Sequence, residues 1–386
     1  MTAPAPRLLA TAAALALSAA VSLGLARFAY ALLLPPMRAD LGWSYFTAGA
    51  MNTVNAAGYL VGALLAPRAF RRFDARRVML AGGFAAALLL ALHGWVRSDA
   101  ALFALRFLSG VASAASFVSG GLLAARLAGQ AAGRAGLVLG VYYGGTGAGI
   151  IAASLAVPPL RWPVAWVCLG SLALAATVLT AFKTRSLVAP PVPGAPRVPL
   201  RLSGYAFGLA GYMMFGLGYI GYMTFIITLL REQGLSGPVI VAFYTLLGAG
   251  VIASSWLWAG LLQRHRGGVP MALLNGLLAV ATVLPVVSTS VLAVFVSGAL
   301  FGAVFLSVVA STTALVRHNA EPAAWPAGIA AFTIVVAAGQ IFGPSIVGWV
   351  ADGAGGLVRG LALSAAMLAL GSVLAALQKP LIKPAH

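Results

Sequence analysis

The chain has 386 residues, of which 61% are hydrophobic and only 8% charged, against about 25% charged in soluble domains. A water-soluble core of this length could not hide that much apolar surface, so the bilayer is the solvent for much of the chain. The net charge of +18 sits in short gaps between apolar runs, without the interleaved aromatics of a stacking platform, and so points away from a nucleic-acid partner.

A membrane-spanning helix needs about 20 mostly apolar residues, and twelve such runs follow one another. The first, 8–34, follows Arg7 and is long enough to span rather than to act as a cleaved signal peptide. Runs 46–66, 78–96, 101–125, 135–157 and 162–182 complete the first half. The widest polar gap comes next, 184–202, with five prolines and Arg185, Arg197 and Arg201. Proline at that density favours an extended linker. The second half offers 205–229, 238–262, 269–287, 291–316, 326–350 and 357–377, the last cut between neighbours being narrowest at Thr289–Ser290. The runs are too continuously apolar for barrel strands, which alternate, so the expected fold class is an all-α membrane protein with twelve transmembrane helices. The expected units are an N-terminal bundle over 1–183, the basic linker and a C-terminal bundle over 203–386.

Orientation follows from the basic residues. With the N-terminus cytoplasmic, seventeen Lys and Arg fall inside and five outside, which predicts cytoplasmic N and C termini; the expected location is the cell inner (plasma) membrane.

The halves echo each other at one offset. Adding 192 takes Gly24 to Gly216, Leu25 to Leu217, Tyr30 to Tyr222, Gly58 to Gly250, Gly110 to Gly302 and Gly147 to Gly339. Small residues recurring in register over several helix pairs suggest two six-helix repeats, the plan of carriers that bind solute between two lobes.

Three motifs then carry a resemblance. Arg106-Phe107-Leu108-Ser109-Gly110 on the fourth helix is similar to an Arg-x-x-x-Gly motif of the major facilitator superfamily. The glycine-rich run Gly140 to Gly149 on the fifth is similar to a motif of its antiporters, without that motif's internal proline. Gly24-Leu25-Ala26-Arg27-Phe28-Ala29-Tyr30, followed by Leu34-Pro35-Pro36-Met37, resembles the first helix of the YbfB/YjiJ-like branch. The resemblance implies alternating access, with helices 1, 4, 7 and 10 lining a central cavity.

Within the spans the exceptional residues are Arg27 and Arg106, cations with no Asp or Glu in any apolar run to pair with them. A charge at the bilayer centre costs roughly 2.5–3.5 kcal/mol on insertion scales, so each guanidinium must meet carbonyls, hydroxyls, water or an anionic solute. Arg27 lies about 10 Å below the outer end of run 8–34 on a 1.5 Å rise, and Tyr30, three residues on, shares its helix face. The offset places Tyr219 opposite Arg27 and Tyr222 opposite Tyr30, while Tyr212 and Tyr219 form a seven-residue stripe. Tyrosine gives an apolar wall and a hydroxyl. The expected substrate contacts are therefore Arg27, Tyr30, Arg106, Tyr142, Tyr212, Tyr219, Tyr222 and Gln340. For Arg106 the alternative is a purely structural role, holding neighbouring helices through carbonyls. Asn52, Asn55, Tyr143 and Asn275 are lesser candidates.

The single Cys168 allows no intrachain disulfide, and the histidines show no metal-ligand spacing, so no metal or cofactor is expected. All six acids lie at run ends or in loops; a coupling proton would need Asp352, the solute itself or an arginine–tyrosine network. The reading is a monomeric, non-enzymatic carrier of a small organic solute, leaning to an organic anion. The rival is an exporter of amphipathic drugs or metabolites.

Overall fold

A computed structural model describes residues 5–131, 134–187 and 200–381. The described residues form twelve long helices and no strand. They are α1 (Leu8–Leu41), α2 (Tyr45–Arg72), α3 (Ala75–His93), α4 (Asp99–Gly129), α5 (Ala135–Ala156), α6 (Trp162–Lys183), α7 (Leu202–Glu232), α8 (Gly237–Arg264), α9 (Val269–Val287), α10 (Val291–Asn319), α11 (Pro322–Ala351) and α12 (Gly356–Ala376). Eleven are long and apolar enough to cross a membrane. The exception, α2, is long enough, but Asn52, Asn55 and its closing arginines dilute it. The prolines of the expected linker lie outside the described residues.

The helix starts follow ordinary chemistry. Ser44, Asp74 and Ser290 cap α2, α3 and α10 by accepting the first free amides. Proline stands in the first turn of α6, α8 and α9, where its missing N–H is not needed. Gly42 and Gly234 end α1 and α7 at φ 66° and 81°, a left-handed conformation that favours glycine.

The largest departure from the sequence expectation is α1. It does not stop at residue 34 but runs through Pro35 and Pro36 to Leu41. Arg27 therefore lies about 20 Å from that end, near mid-helix, rather than 10 Å. Residues Ala20–Phe28 are moreover wound as a π-helix, with the Ala29 amide reaching back five residues to the Gly24 carbonyl at 2.9 Å. Such wide turns are rare and concentrate at functional sites.

Helices pack through glycine. Gly58 lies against the Phe107 carbonyl and Gly110 against that of Asn55; Gly250 lies against the Ala299 carbonyl and Gly302 against that of Leu247. Both members of each contact in α2–α4 recur 192 residues later in α8–α10.

The two sets of six helices touch along α2–α11 and α5–α8. At the end of the bundle away from the chain termini they are tied together. The Asp352 carboxylate accepts the Tyr45 and Phe46 amides at 2.7 and 2.9 Å, capping α2 from the other half. Tyr45 also donates to Glu232. Deeper in, Asn52 donates to Thr224 at 2.7 Å, Thr53 to the Ile341 carbonyl at 2.6 Å, and Tyr244 to the Phe28 carbonyl at 2.7 Å.

Candidate functional site

A cavity of about 580 Å³ lies between the two halves, within the range of small-molecule sites. Its walls come from the termini-side stretches of α4, α5, α8, α10 and α11, with α1, α2 and α7 above them: Arg27, Tyr59, Phe117, Tyr143, Tyr212, Tyr219, Trp258, Phe305 and Gln340 among others. The ties at the opposite end close it there, so it faces the termini side. A second groove of about 800 Å³, between the far ends of α5 and α8, is lined almost wholly by apolar and small residues; its one hydroxyl, Thr245, already meets Ser154 at 2.7 Å.

Among the described residues, Arg27 is the only charged one lining the central cavity. Its side chain leaves the last turn of the π-helix and is only 3% exposed. One terminal nitrogen, Nη2, donates to Gln340 Oε1 at 2.7 Å. An arginine carries only donors, so the amide must turn its oxygen this way. Nε is buried with no partner, and the Tyr59 ring lies 5.5 Å from the guanidinium carbon. Tyr219 lies close enough to Gln340 and Arg27 for both to act on its hydroxyl. Thus α1 of one half, and α7 and α11 of the other, converge on one cation.

The aromatic wall is continuous. Tyr212 stacks on Phe215 at 5.4 Å, Phe215 on Tyr219 at 4.5 Å, and Tyr219 on Phe305 at 5.9 Å. Phe28 meets Phe305 edge-on at 5.7 Å. Much of the polar lining is already committed: Trp258 donates to the Ala303 carbonyl, Ser254 and Ser307 to the carbonyls of Val251 and Ser254, and Thr333 to that of Ile329.

Of the eight expected contacts, Arg27, Tyr212, Tyr219 and Gln340 line the cavity. Tyr30, Arg106, Tyr142 and Tyr222 lie behind its wall. Tyr30 is fully buried and donates to the Ala48 carbonyl at 2.8 Å; the π-turn before it rotates it off the face of Arg27, which a 3.6-residue period would have it share. Tyr142 donates to the Phe117 carbonyl at 2.6 Å, and Tyr222 pairs with Ser297 at 2.7 Å while stacking on Phe301 at 4.0 Å.

Arg106, with no exposed surface, is held by the first helices of its own half. Nη1 donates to the Ala26 carbonyl at 2.9 Å and Nη2 to Asn52 Oδ1 at 3.1 Å, with the Met51 carbonyl at 3.5 Å from Nε. The Tyr30 and Trp166 rings lie 4.8 and 5.8 Å from its carbon. Carbonyl dipoles and ring faces thus replace the missing carboxylate. Asn55 braces the same turn, donating to the Arg106 carbonyl at 3.0 Å.

Tyr59, Phe117, Trp258 and Phe305 were not anticipated. Tyr59 had a legible signal: Asn52, Asn55 and Tyr59 stand at i, i+3 and i+7, one face of a helix otherwise rich in Ala and Gly.

Three similarities place this architecture. The nucleoside transporter NupG (D323A mutant) superposes with TM-score 0.75 at 14% identity, covering 95% of this chain and 98% of its own. A bacterial homolog of the human lysosomal transporter Spinster, inward-facing and unoccupied, gives 0.71 at 13% identity over 97% and 96%. The human organic anion transporter MFSD10 (TETRAN) gives 0.64 at 15% identity over 97% and 100%. No curated protein matches the sequence. Residues 19–376 match the family described as the uncharacterised MFS-type transporter YbfB, and the chain belongs to that family of multi-pass membrane transporters.

Proposed function

We propose that the chain is a secondary transporter that moves a small organic anion, with a carboxylate as the favoured head group, by rocking its two halves around the central cavity. One observation carries this reading. Among the described residues that line the cavity the only charge is a cation, Arg27, buried with an unpartnered Nε and with no carboxylate beside it in the lining. A buried guanidinium with open donor capacity is a built receptor for a carboxylate.

Alternating access draws support from the far-end ties of Asp352 to the Tyr45 and Phe46 amides and of Tyr45 to Glu232, which join opposite halves. The glycine contacts recurring at an offset of 192 support a duplicated six-helix unit, with the halves at 1–183 and 203–386. The basic-residue count supports cytoplasmic termini, and with them a cavity open to the cytoplasm, in an inner-membrane monomer. Among the described residues no carboxylate lines the cavity, so a coupling proton, where one moves, does so on the solute, at the far-end acids or through the arginine–tyrosine network; exchange of anions requires none.

The test is uptake into proteoliposomes across a panel of carboxylates, with Arg27→Ala beside the parent. Saturable uptake that falls at least tenfold in the variant supports the reading. Undiminished uptake removes the arginine from the site. The aromatic wall favours the second reading, export of an amphipathic drug or metabolite; efflux of a lipophilic cation would select it, since Arg27 repels such a solute.

A further inference from the structure

The Arg27–Gln340 contact joins the two halves at the top of the cavity, where a solute would be held. It has an unusual composition. A permanent brace for a buried arginine is built as around Arg106, from several carbonyls and ring faces. Arg27 instead has one neutral amide oxygen at 2.7 Å, one ring at 5.5 Å and an orphaned Nε. A neutral amide oxygen is a weaker acceptor for a guanidinium than a carboxylate is.

We infer that Gln340 is a placeholder: its amide oxygen occupies, in the empty carrier, the position at Arg27 that the head group of a flat aromatic monocarboxylate takes when it binds. This deepens the proposed anion reading and rests on it. One cation in the described lining fixes one negative charge, since a second would meet no charged partner among those lining residues. The lining rings Tyr212, Tyr219 and Phe305, backed by Phe215, and the further lining rings Tyr59 and Trp258 suit a planar apolar body. A carboxylate arriving at Arg27 has a free donor waiting at Nε and displaces the amide from Nη2. That releases one of the ties between the halves, so loading and loosening are the same event.

The placeholder gives an inverted mutational signature. Gln340→Glu installs a permanent internal carboxylate on Arg27, whereas Gln340→Ala removes the competitor. The probes are 2-naphthoate, its neutral analogue 2-naphthamide and naphthalene-2,6-dicarboxylate, titrated calorimetrically into the purified full chain, with each variant's melting temperature recorded first to establish folding. The expected result has three parts: 2-naphthoate binds the parent more tightly than the amide or the diacid does, Gln340→Glu weakens it at least about tenfold, near 1.4 kcal/mol, and Gln340→Ala binds it at least as tightly as the parent. Equal binding of naphthoate by the parent and both variants overturns the placeholder and leaves the anion reading standing. Equal binding of acid and amide by the parent overturns the anion reading itself. Binding of the diacid in preference to the monoacid, or of none of the three, overturns the assigned class.

Discussion

Arg106 of α4 donates from Nη1 to the carbonyl of Ala26 at 2.9 Å, the residue immediately before Arg27. The Phe28 carbonyl, immediately after it, accepts the Tyr244 hydroxyl at 2.7 Å. The two carbonyls flanking Arg27 are thus held by side chains from α4 and α8, at the close of the π-wound stretch. Widening the turn breaks the regular i to i−4 pattern and opens main-chain oxygens to such donors. Arg106 orients the backbone from which Arg27 points, without touching the cavity.

Arg106→Ala should therefore lower stability first and transport as a consequence. It orphans Asn52 Oδ1, at about 1–3 kcal/mol when buried and toward the lower end in a membrane interior, and takes a charged donor from the Ala26 carbonyl. A drop of several degrees in the melting temperature of the detergent-purified chain is expected. Arg106→Lys should recover only part of it, because an ammonium cannot reproduce the planar fork. A melting curve unchanged in both variants would refute the brace.

Arg27→Leu should do the opposite. The native side chain is 3% exposed, cationic and incompletely bonded, an arrangement that burdens the empty fold. Replacing it with an apolar residue should leave the melting temperature equal or higher while abolishing binding of 2-naphthoate, the usual exchange between stability and function at a site. A fall in melting temperature matching that of Arg106→Ala would make Arg27 a second brace.

The contrast between these arginines shows where the sequence was readable. Both stood out because neither had a carboxylate in any span, and twelve runs were evident from length and hydropathy alone. Which arginine met the cavity was not evident, since it depends on phase. A 3.6-residue period put Tyr30 beside Arg27, and the π-turn removed it. The apolar run 8–34 ends seven residues short of α1, which in the bundle continues through Pro35 and Pro36 to Leu41. Tyr212 and Tyr219 were placed at the cavity because α7 is regular from Ala206 to Glu232. Phe305 and Trp258 were missed because, among so many apolar residues, nothing local separates a cavity-facing ring from a lipid-facing one.

The far-end closure depends on Asp352, which caps α2 from the opposite half. A carboxylate at a helix N-terminus gains both hydrogen bonds and the helix dipole, and neither survives separation of the halves. Asp352→Asn should shift the population toward far-end opening. Spin labels on Ser98→Cys and Thr289→Cys, both in far-end loops, in a Cys168→Ser background, report the separation by double electron–electron resonance. A longer-distance population should grow in Asp352→Asn relative to the parent. An identical distance distribution would show that the carboxylate does not hold the gate.

Gly24 tests whether the position of Arg27 is set by backbone contact. It lies in the π-stretch three residues before Arg27 and packs on α5. A methyl group there would land 2.5 Å from Gly149 Cα and 2.7 Å from its carbonyl carbon. Both are backbone atoms, so no rotamer can relieve the clash and α1 must move off α5. Overpacking of this kind costs about 1–3 kcal/mol. Gly24→Ala is therefore expected to lower the melting temperature and also to weaken 2-naphthoate binding, because the displaced segment carries Arg27. Gly149→Ala meets the same contact from the other side, 2.5 Å from the Ala20 carbonyl oxygen, so the double variant should cost less than the sum of the singles. Gly129→Ala, at the last residue of α4 with nothing within 4 Å of the added carbon, is the control and should be neutral or slightly stabilising. Loss of stability without loss of affinity in Gly24→Ala would mean that Arg27 is positioned by its side-chain partners rather than by the path of α1.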